Sequence, residues 1–213
     1  MSAQKTPRIR ILVVEDHLIA RKGLCAIINA QSDMAVVAEA IDGKEAVAAY
    51  RKHLPDVTLM DMRLPKMSGV EAVAAIQKEF PGARFVAIST FGGDEDIHRA
   101  MIAGVQSYLT KDVLGHDLVK AIHAVHAGRK FLPGSLATLM QARESYPELT
   151  TRELEILRLI TQGLSNKQVA YTVGIATYTV NNHVKNILKK LGVSDRTQAA
   201  TSAIARGIIH LDQ

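Results

Sequence analysis

From Ile9 the chain repeats one pattern, a short branched apolar run followed by a longer stretch with apolar positions at helical spacing. The runs are "IRILVV" (Ile9–Val14), "MAVVAEA" (Met34–Ala40), "DVTLM" (Asp56–Met60), "ARFVAIS" (Ala83–Ser89) and the weaker "VQSYL" (Val105–Leu109). Helices are predicted over Leu18–Ala30, Gly43–Tyr50, about Gly69–Lys78, Asp94–Ile102 and Leu114–Ala127. Strands alternating with helices of this length, over short loops, predict βαβ units around a five-stranded, doubly wound parallel sheet.

After "HAGRKFLPGS" the strand pattern stops, and everything from Leu149 onward has the helical period. Thr151 precedes "RELEILRLITQG", where Leu154, Ile156, Leu157 and Ile160 share a face and Gly163 supplies a stop. "SNKQVAYTV" predicts a short second helix, "ATYTVNNHVKNILKKLG" a longer third and "SDRTQAATSAIARG" a fourth. The expected organisation is an α/β domain over 1–128, a partly helical linker over 129–148 and an all-α four-helix domain over 149–213.

Composition narrows the class. The chain is 47% hydrophobic and 22% charged, as in soluble globular proteins, with a net charge of +5 compatible with an anionic partner such as nucleic acid. The single cysteine, Cys25, excludes an internal disulfide framework and falls at an expected core position. "MSAQKTPRIR" has no apolar signal core and no uncharged 18-residue apolar run follows, so a cytoplasmic protein is expected. Charge separates weakly: from Tyr146 onward eight Lys or Arg face five acids, against 18 and 16 before it. Lys185, Lys189, Lys190 and Arg196 cluster in the last two helices, with Asp195 the only acid beside them.

The candidate chemistry lies where the strands end. "VTLMDMRLPKMSG" closes a buried run with Asp61, a costly place for a charge unless it is paired, bound to a cation or left at an opening. A simple turn-starting aspartate is the alternative. Glu15 and Asp16 end the first strand, Ser89 and Thr90 the fourth, and Lys111 follows the fifth, all at one edge of a parallel sheet. Clustered carboxylates repel one another unless a hard divalent cation neutralises them, and an oxygen ligand set suits Mg2+. One carboxylate can then act as nucleophile toward a phosphoryl group whose oxygens an ammonium and a hydroxyl hold. Taken singly, Lys111 reads equally as a loop cap and Ser89 as a backbone-satisfied strand-end hydroxyl. No GxxxxGK[ST] loop or GxGxxG turn supports a nucleotide fold.

With "VVEDH", "LMDMRLPKMSG", "AISTF" and "YLTKD" in this order, the first domain resembles the receiver domain of bacterial two-component response regulators over nearly its whole length. The resemblance implies that Asp61 accepts a phosphoryl group from a sensor histidine kinase. It implies that Asp16 and Asp61 bind Mg2+, with Glu15 helping and the main-chain carbonyl of Arg63 a further ligand. Ser89 takes the switch hydroxyl position, Lys111 pairs with the phosphoryl group and Tyr108 matches the switch aromatic. Pro65 and Gly69 shape the loop after the acceptor, and Phe91 occupies a variable position near the switch hydroxyl.

In the helical region "GLSNKQVA" and "TVNNHVKNILKKL", joined by a turn around Gly174, predict a helix-turn-helix with Ser165 as N-cap. Val180, Val184, Ile187, Leu188 and Leu191 form its packing face, leaving Asn181, Asn182, Lys185 and Lys189 largely outward. The region resembles the LuxR/NarL-type DNA-binding domain. That implies a recognition helix over about Ala176–Leu191, with Asn181, Asn182 and Lys185 facing the groove. Thr179, His183, Lys189 and Arg196 then contact or position phosphates, with purely structural roles for Thr179, His183 and Arg196 the alternative. Two positions depart from that family: Asn181 stands where lysine is usual and Gln168 where glutamate is. Asparagine loses the lysine's charge and can pair bidentately with adenine.

The combined expectation is a phosphorylation-controlled transcription regulator that binds double-stranded DNA, dimerises when phosphorylated and performs only its own phosphorylation and dephosphorylation. The alternative is a degenerate receiver acting independently of phosphorylation, as a protein-interaction module or constitutive DNA binder.

Overall fold

The structure, a computed structural model, describes residues 8–112, 114–143 and 146–211, the side chains of 114–116 excepted. The N-terminal residues 1–7 considered for a signal core, and residues 144 and 145 of the expected linker, lie outside that range. In chain order the elements are β1 (Ile9–Val14), α1 (Leu18–Asn29), β2 (Met34–Ala40), α2 (Gly43–His53), β3 (Val57–Asp61), α3 (Gly69–Glu79), β4 (Phe85–Ser89), α4 (Asp94–Ala103), β5 (Ser107–Thr110), α5 (Leu114–His126), α6 (Gly134–Arg143), α7 (Thr151–Thr161), α8 (Asn166–Val173), α9 (Thr177–Leu191) and α10 (Arg196–Ala205). Among the described residues, those from 8 to 91 and from 97 to 135 make one compact unit, and 92–96 with those from 136 to 211 the other.

In the first unit the strands form one parallel sheet in the order β2-β1-β3-β4-β5. Every residue of β3 and β4 is buried, which is why their sequences run apolar without alternation. On one face, α1 and α5 bury Leu24, Ile28, Leu118 and Ile122 against Ile11, Val13, Leu59 and Ile88. The other strand positions serve the opposite face, where α2 and α3 lie and the Tyr50 ring packs 6.2 Å from that of Phe85. The chain reverses its direction of winding between β1 and β3, so a crevice opens beyond their carboxyl ends.

The second unit's helices share one core built from Ile156, Leu157, Ile160, Val169, Val180, Ile187 and Leu191 with Ala199, Ala203 and Ile209. Val184 and Leu188 pack against it half-buried, completing the expected α9 face. Local signals set the helix ends. Thr150, one residue before the expected start, caps α7 in a reciprocal box with Glu153, and Ser165 caps α8 with Gln168. Gly174 ends α8 at φ +68°, a left-handed conformation that costs a glycine little. Most strands and helices differ from the sequence pattern by one to three residues at one end or both, β4 for example starting at Phe85 rather than Ala83. α2 runs on to His53, β5 shifts to Ser107–Thr110, and α6 occupies ten residues of the expected linker.

Candidate functional site

The crevice beyond β1 and β3 collects the strand-end residues. Glu15 is wholly buried and Asp61 only 3% exposed. Lys111 Nζ lies 2.7 Å from Asp61 Oδ2 and 2.7 Å from Glu15 Oε2, bridging the two strands with one ammonium. The other Asp61 oxygen, Oδ1, accepts a hydrogen bond from the Arg63 main-chain N–H at 2.8 Å. That bond brings the Arg63 peptide beside the acidic cluster. Gly69 makes the approach possible: a Cβ there would stand 2.1 Å from the Asp61 carbonyl oxygen and 2.8 Å from Met62 Cα. The first residue of α3 is thus pressed onto the end of β3, and Ser68 closes that helix start with a capping box to Glu71.

The electrostatics follow from two buried carboxylates sharing one lysine. Burial pushes the Asp61 carboxyl up to about 6, assisted by the Glu15 charge and opposed by hydrogen bonds from Lys111 and the Arg63 N–H. Burial also pulls the Lys111 ammonium down, but its bonds to Asp61 and Glu15 outweigh that and hold it above its ordinary value. Donor atoms of Glu15, Asp16, His17 and Asp61 all lie within 4.8 Å of one another. Three carboxylates and an imidazole within that span can coordinate a divalent cation, and the mostly oxygen set fits a hard one.

The switch candidates meet at one residue, on the two peptide groups that flank it. Ser89 Oγ accepts from the Phe91 N–H at 3.1 Å, and the buried Tyr108 hydroxyl donates to the Phe91 carbonyl at 2.7 Å. The exposed Phe91 ring is covered on one side by the Arg63 guanidinium, 4.0 Å from its centroid. Lys111 N–H donates to the Ser89 carbonyl at 2.8 Å, so the ends of β4 and β5 carry hydroxyl and ammonium side by side.

In the second unit Thr179, Asn181, Asn182, Lys185 and Lys189 are exposed on α9, and His183 is half-buried. Lys185 and Lys189 form no ion pair among the described residues. Lys190 differs: its Nζ donates to the Glu148 carbonyl at 2.9 Å and to Glu153 Oε2 at 2.7 Å. Its counter-ion is therefore Glu153 rather than Asp195, whose carboxylate caps α10. Arg196 is also engaged, donating to the Leu164 carbonyl at 2.6 Å and to Asn166 Oδ1 at 3.4 Å. Gln168 takes over the role expected of glutamate, its Oε1 accepting from the Ser165 N–H and hydroxyl at 2.8 Å.

Two residues of the acidic site and one of the helical unit lie outside the roles that the sequence motifs assign. His17 Nδ1 lies 2.8 Å from Asp16 Oδ1, and its place directly after the acidic pair was the available signal. Arg21 donates to the Glu15 and Asp16 carbonyls at 2.7 and 3.2 Å, holding the acidic loop from one turn into α1. Asn166 donates to Asn181 Oδ1 at 2.8 Å across 15 residues. Nothing in the sequence indicates either of the last two contacts, because both depend on how elements dock.

Residues 11–123 match the response regulator receiver domain family, and residues 147–203 match the bacterial regulatory proteins of the luxR family. The response regulator protein VraR of Staphylococcus aureus is 38% identical over 206 residues, spanning 94% of this chain and 99% of VraR. The crystal structure of the response regulator ChrA, of a heme-sensing two-component system, is 34% identical with a TM-score of 0.56, over 95% of this chain and 99% of that one. RcsB of Salmonella enterica serovar Typhimurium, solved on a promoter with the phosphomimetic BeF3-, shares the fold. Its TM-score is 0.73 at 21% identity, over 93% of this chain and 98% of RcsB. No described helix is long and apolar enough to cross a membrane. A receiver domain with a candidate phosphoacceptor cluster and a LuxR-type helix-turn-helix domain stand in one chain, which belongs to the bacterial two-component response regulators of the LuxR/NarL type.

Proposed function

We propose that Asp61 is the phosphoacceptor of a regulator working in the cytoplasm, and that its phosphorylation by a partner histidine kinase controls dimerisation and DNA binding. The observation that carries this reading is the Asp61 carboxylate itself. It is nearly buried at the β1–β3 crevice, with one oxygen on the Arg63 N–H and the other on Lys111. An Asp61 oxygen attacks phosphorus as the P–N bond of a phosphohistidine breaks, and the leaving imidazole takes up a proton. Lys111 moves with the new charge onto a phosphoryl oxygen, and Ser89 donates its hydroxyl to another.

Asp16 and Asp61, with Glu15 and the Arg63 carbonyl, would hold Mg2+, which supplies positive charge against the carboxylates and the incoming phosphoryl oxygens. Ser89 and Tyr108 report the change of charge through the main chain of Phe91, whose N–H and carbonyl they respectively contact. The receiver domain spans 1–128, a linker containing α6 spans 129–148, and the DNA-binding domain spans 149–213. In the last, α9 enters the major groove of double-stranded DNA with Asn181, Asn182 and Lys185 toward the bases. Thr179, His183 and Lys189 contact the phosphate backbone, and Arg196 positions the helix.

The test is incubation of wild type and Asp61→Asn with acetyl phosphate, with and without Mg2+, followed by intact mass measurement. A single acid-labile phosphoryl adduct is expected only in wild type with Mg2+. No adduct where a known receiver reacts, or an equal adduct in Asp61→Asn, overturns the proposal.

A further inference from the structure

The side chains between α8, α9 and α10 settle the polarity of one amide on the exposed side of α9. Arg196 opens α10, and its guanidinium, which has only donors, points one N–H at the Leu164 carbonyl and another at Asn166 Oδ1. An oxygen of Asn166 must therefore face Arg196, which turns the Asn166 amine toward α9. That amine meets Asn181 at 2.8 Å, and since an amide nitrogen does not accept, the atom it meets is Asn181 Oδ1. The chain Arg196 to Asn166 to Asn181 thus has one consistent direction. The amine of Asn181 is left with both N–H groups free among the described residues.

This changes what Asn181 offers to a base. Bidentate recognition of adenine needs the amide oxygen for N6–H and the amine for N7, side by side on the base edge. Asn166 occupies one of the two lone pairs of the Asn181 oxygen while both N–H groups stay unpaired among the described residues, so donors predominate in what Asn181 offers, and guanine alone offers two adjacent major-groove acceptors, O6 and N7. We infer that Asn166 and Arg196 are positioning residues that hold Asn181 as a hydrogen-bond donor, so that this regulator selects guanine rather than adenine where Asn181 reaches the groove. The inference rests on the proposed entry of α9 into DNA. It also explains how asparagine substitutes for the usual lysine: the donor character is kept and the charge is lost.

The experiment is selection of bound duplexes from a randomised pool by acetyl phosphate-treated full-length protein, as wild type, Asn181→Ala, Asn166→Ala and Asn166→Asp. Asn166→Asp keeps an acceptor for Arg196 and suits the first turn of a helix, so it alters the amide lock without removing the brace. In wild type, guanine is expected at one position of each half-site, and Asn181→Ala flattens that position alone. Both Asn166 variants are expected to shift the guanine-to-adenine ratio there by about tenfold toward adenine, as one regained bidentate contact allows. Adenine at the Asn181-dependent position in wild type overturns the inference, as does an unchanged ratio in both Asn166 variants. If Asn181→Ala leaves every base preference intact and only weakens binding to all sequences alike, Asn181 is a phosphate contact and the inference fails. Absence of sequence-selective binding by every protein, phosphorylated or not, overturns the DNA-binding proposal together with it.

Discussion

Asp61 in the receiver and Glu153 in the helical unit are equally inaccessible, at 3% exposure each, yet their carboxyls shift in opposite directions. Burial pushes both upward. For Glu153 that push is overcome by Lys190 and by the N–H and hydroxyl of Thr150, which bind one carboxylate with three donors. For Asp61 it is not overcome, because the carboxyl lies much deeper among protein atoms, Lys111 is shared with Glu15 and Asp16 stands nearby. Depth among protein atoms and the ratio of donors to carboxylates together separate the two. A structural buried acid is fully satisfied by its own chain, whereas the receiver's cluster has more negative charge than the chain neutralises. That surplus is what a cation or a phosphoryl group in contact with Lys111 can use.

The sharpest attempt to break this comparison is Glu153→Ala. It leaves Lys190 without its carboxylate and removes the α7 capping box, an expected loss of about 3 kcal/mol from the helical unit. Hydrogen exchange of the α7 and α9 amides reads it out. A loss under 1 kcal/mol, on the order of an ordinary surface substitution, would remove the contrast.

Mg2+ should act on the other side only. At about ten times its dissociation constant it stabilises the receiver by about 1.4 kcal/mol through linkage, with no gain in Asp61→Asn. Melting curves with and without the ion compare the two proteins.

A smaller gain is expected from Asp61→Asn without any cation. The folded Asp61 carboxyl holds its proton up to about 6, above its value in the unfolded chain, so ionising it works against folding. The penalty is absent below about pH 4, where the group is protonated in both states, grows toward pH 6 and is complete above it. Asparagine escapes it, and after losing part of the Lys111 contact it should gain on the order of 1 kcal/mol at pH 7.5. Thermal melts between pH 4.5 and 7.5 should show the gain rising with pH; a gain that is flat or falls with pH contradicts the electrostatic account.

The smallest change is expected from Gln168→Glu. Gln168 already accepts both Ser165 donors, so restoring the family's usual carboxylate alters α8 stability by only about 0.3 kcal/mol, through the helix dipole. Urea titration of the two proteins side by side measures it.

Much of this was legible in the residues. The strands of the receiver read as strands because burial on both faces demands near-continuous branched residues, and the acidic edge followed from where those runs stop. Ser165 marked the start of α8, and Gly174 the turn between α8 and α9, because capping and left-handed backbone are chemistry of single residues. The linker was harder. α6 lies in it with only Leu136 buried, so its sequence carries little of the amphipathic period that announces a helix.

Residue order alone sets which side chains reach the carboxyl edge of the sheet, since strand ends and loop lengths are local quantities. Tertiary structure alone decided how charges are shared. That one lysine serves Asp61 and Glu15, that Lys190 belongs to Glu153 rather than standing free, and that Asn181 is held oxygen-inward by Asn166 all depend on contacts across 15 to 96 positions of chain. Hydrogen bonds are satisfied by whatever docking brings within about 3 Å, and that distance is written in the packing of the elements rather than in their order.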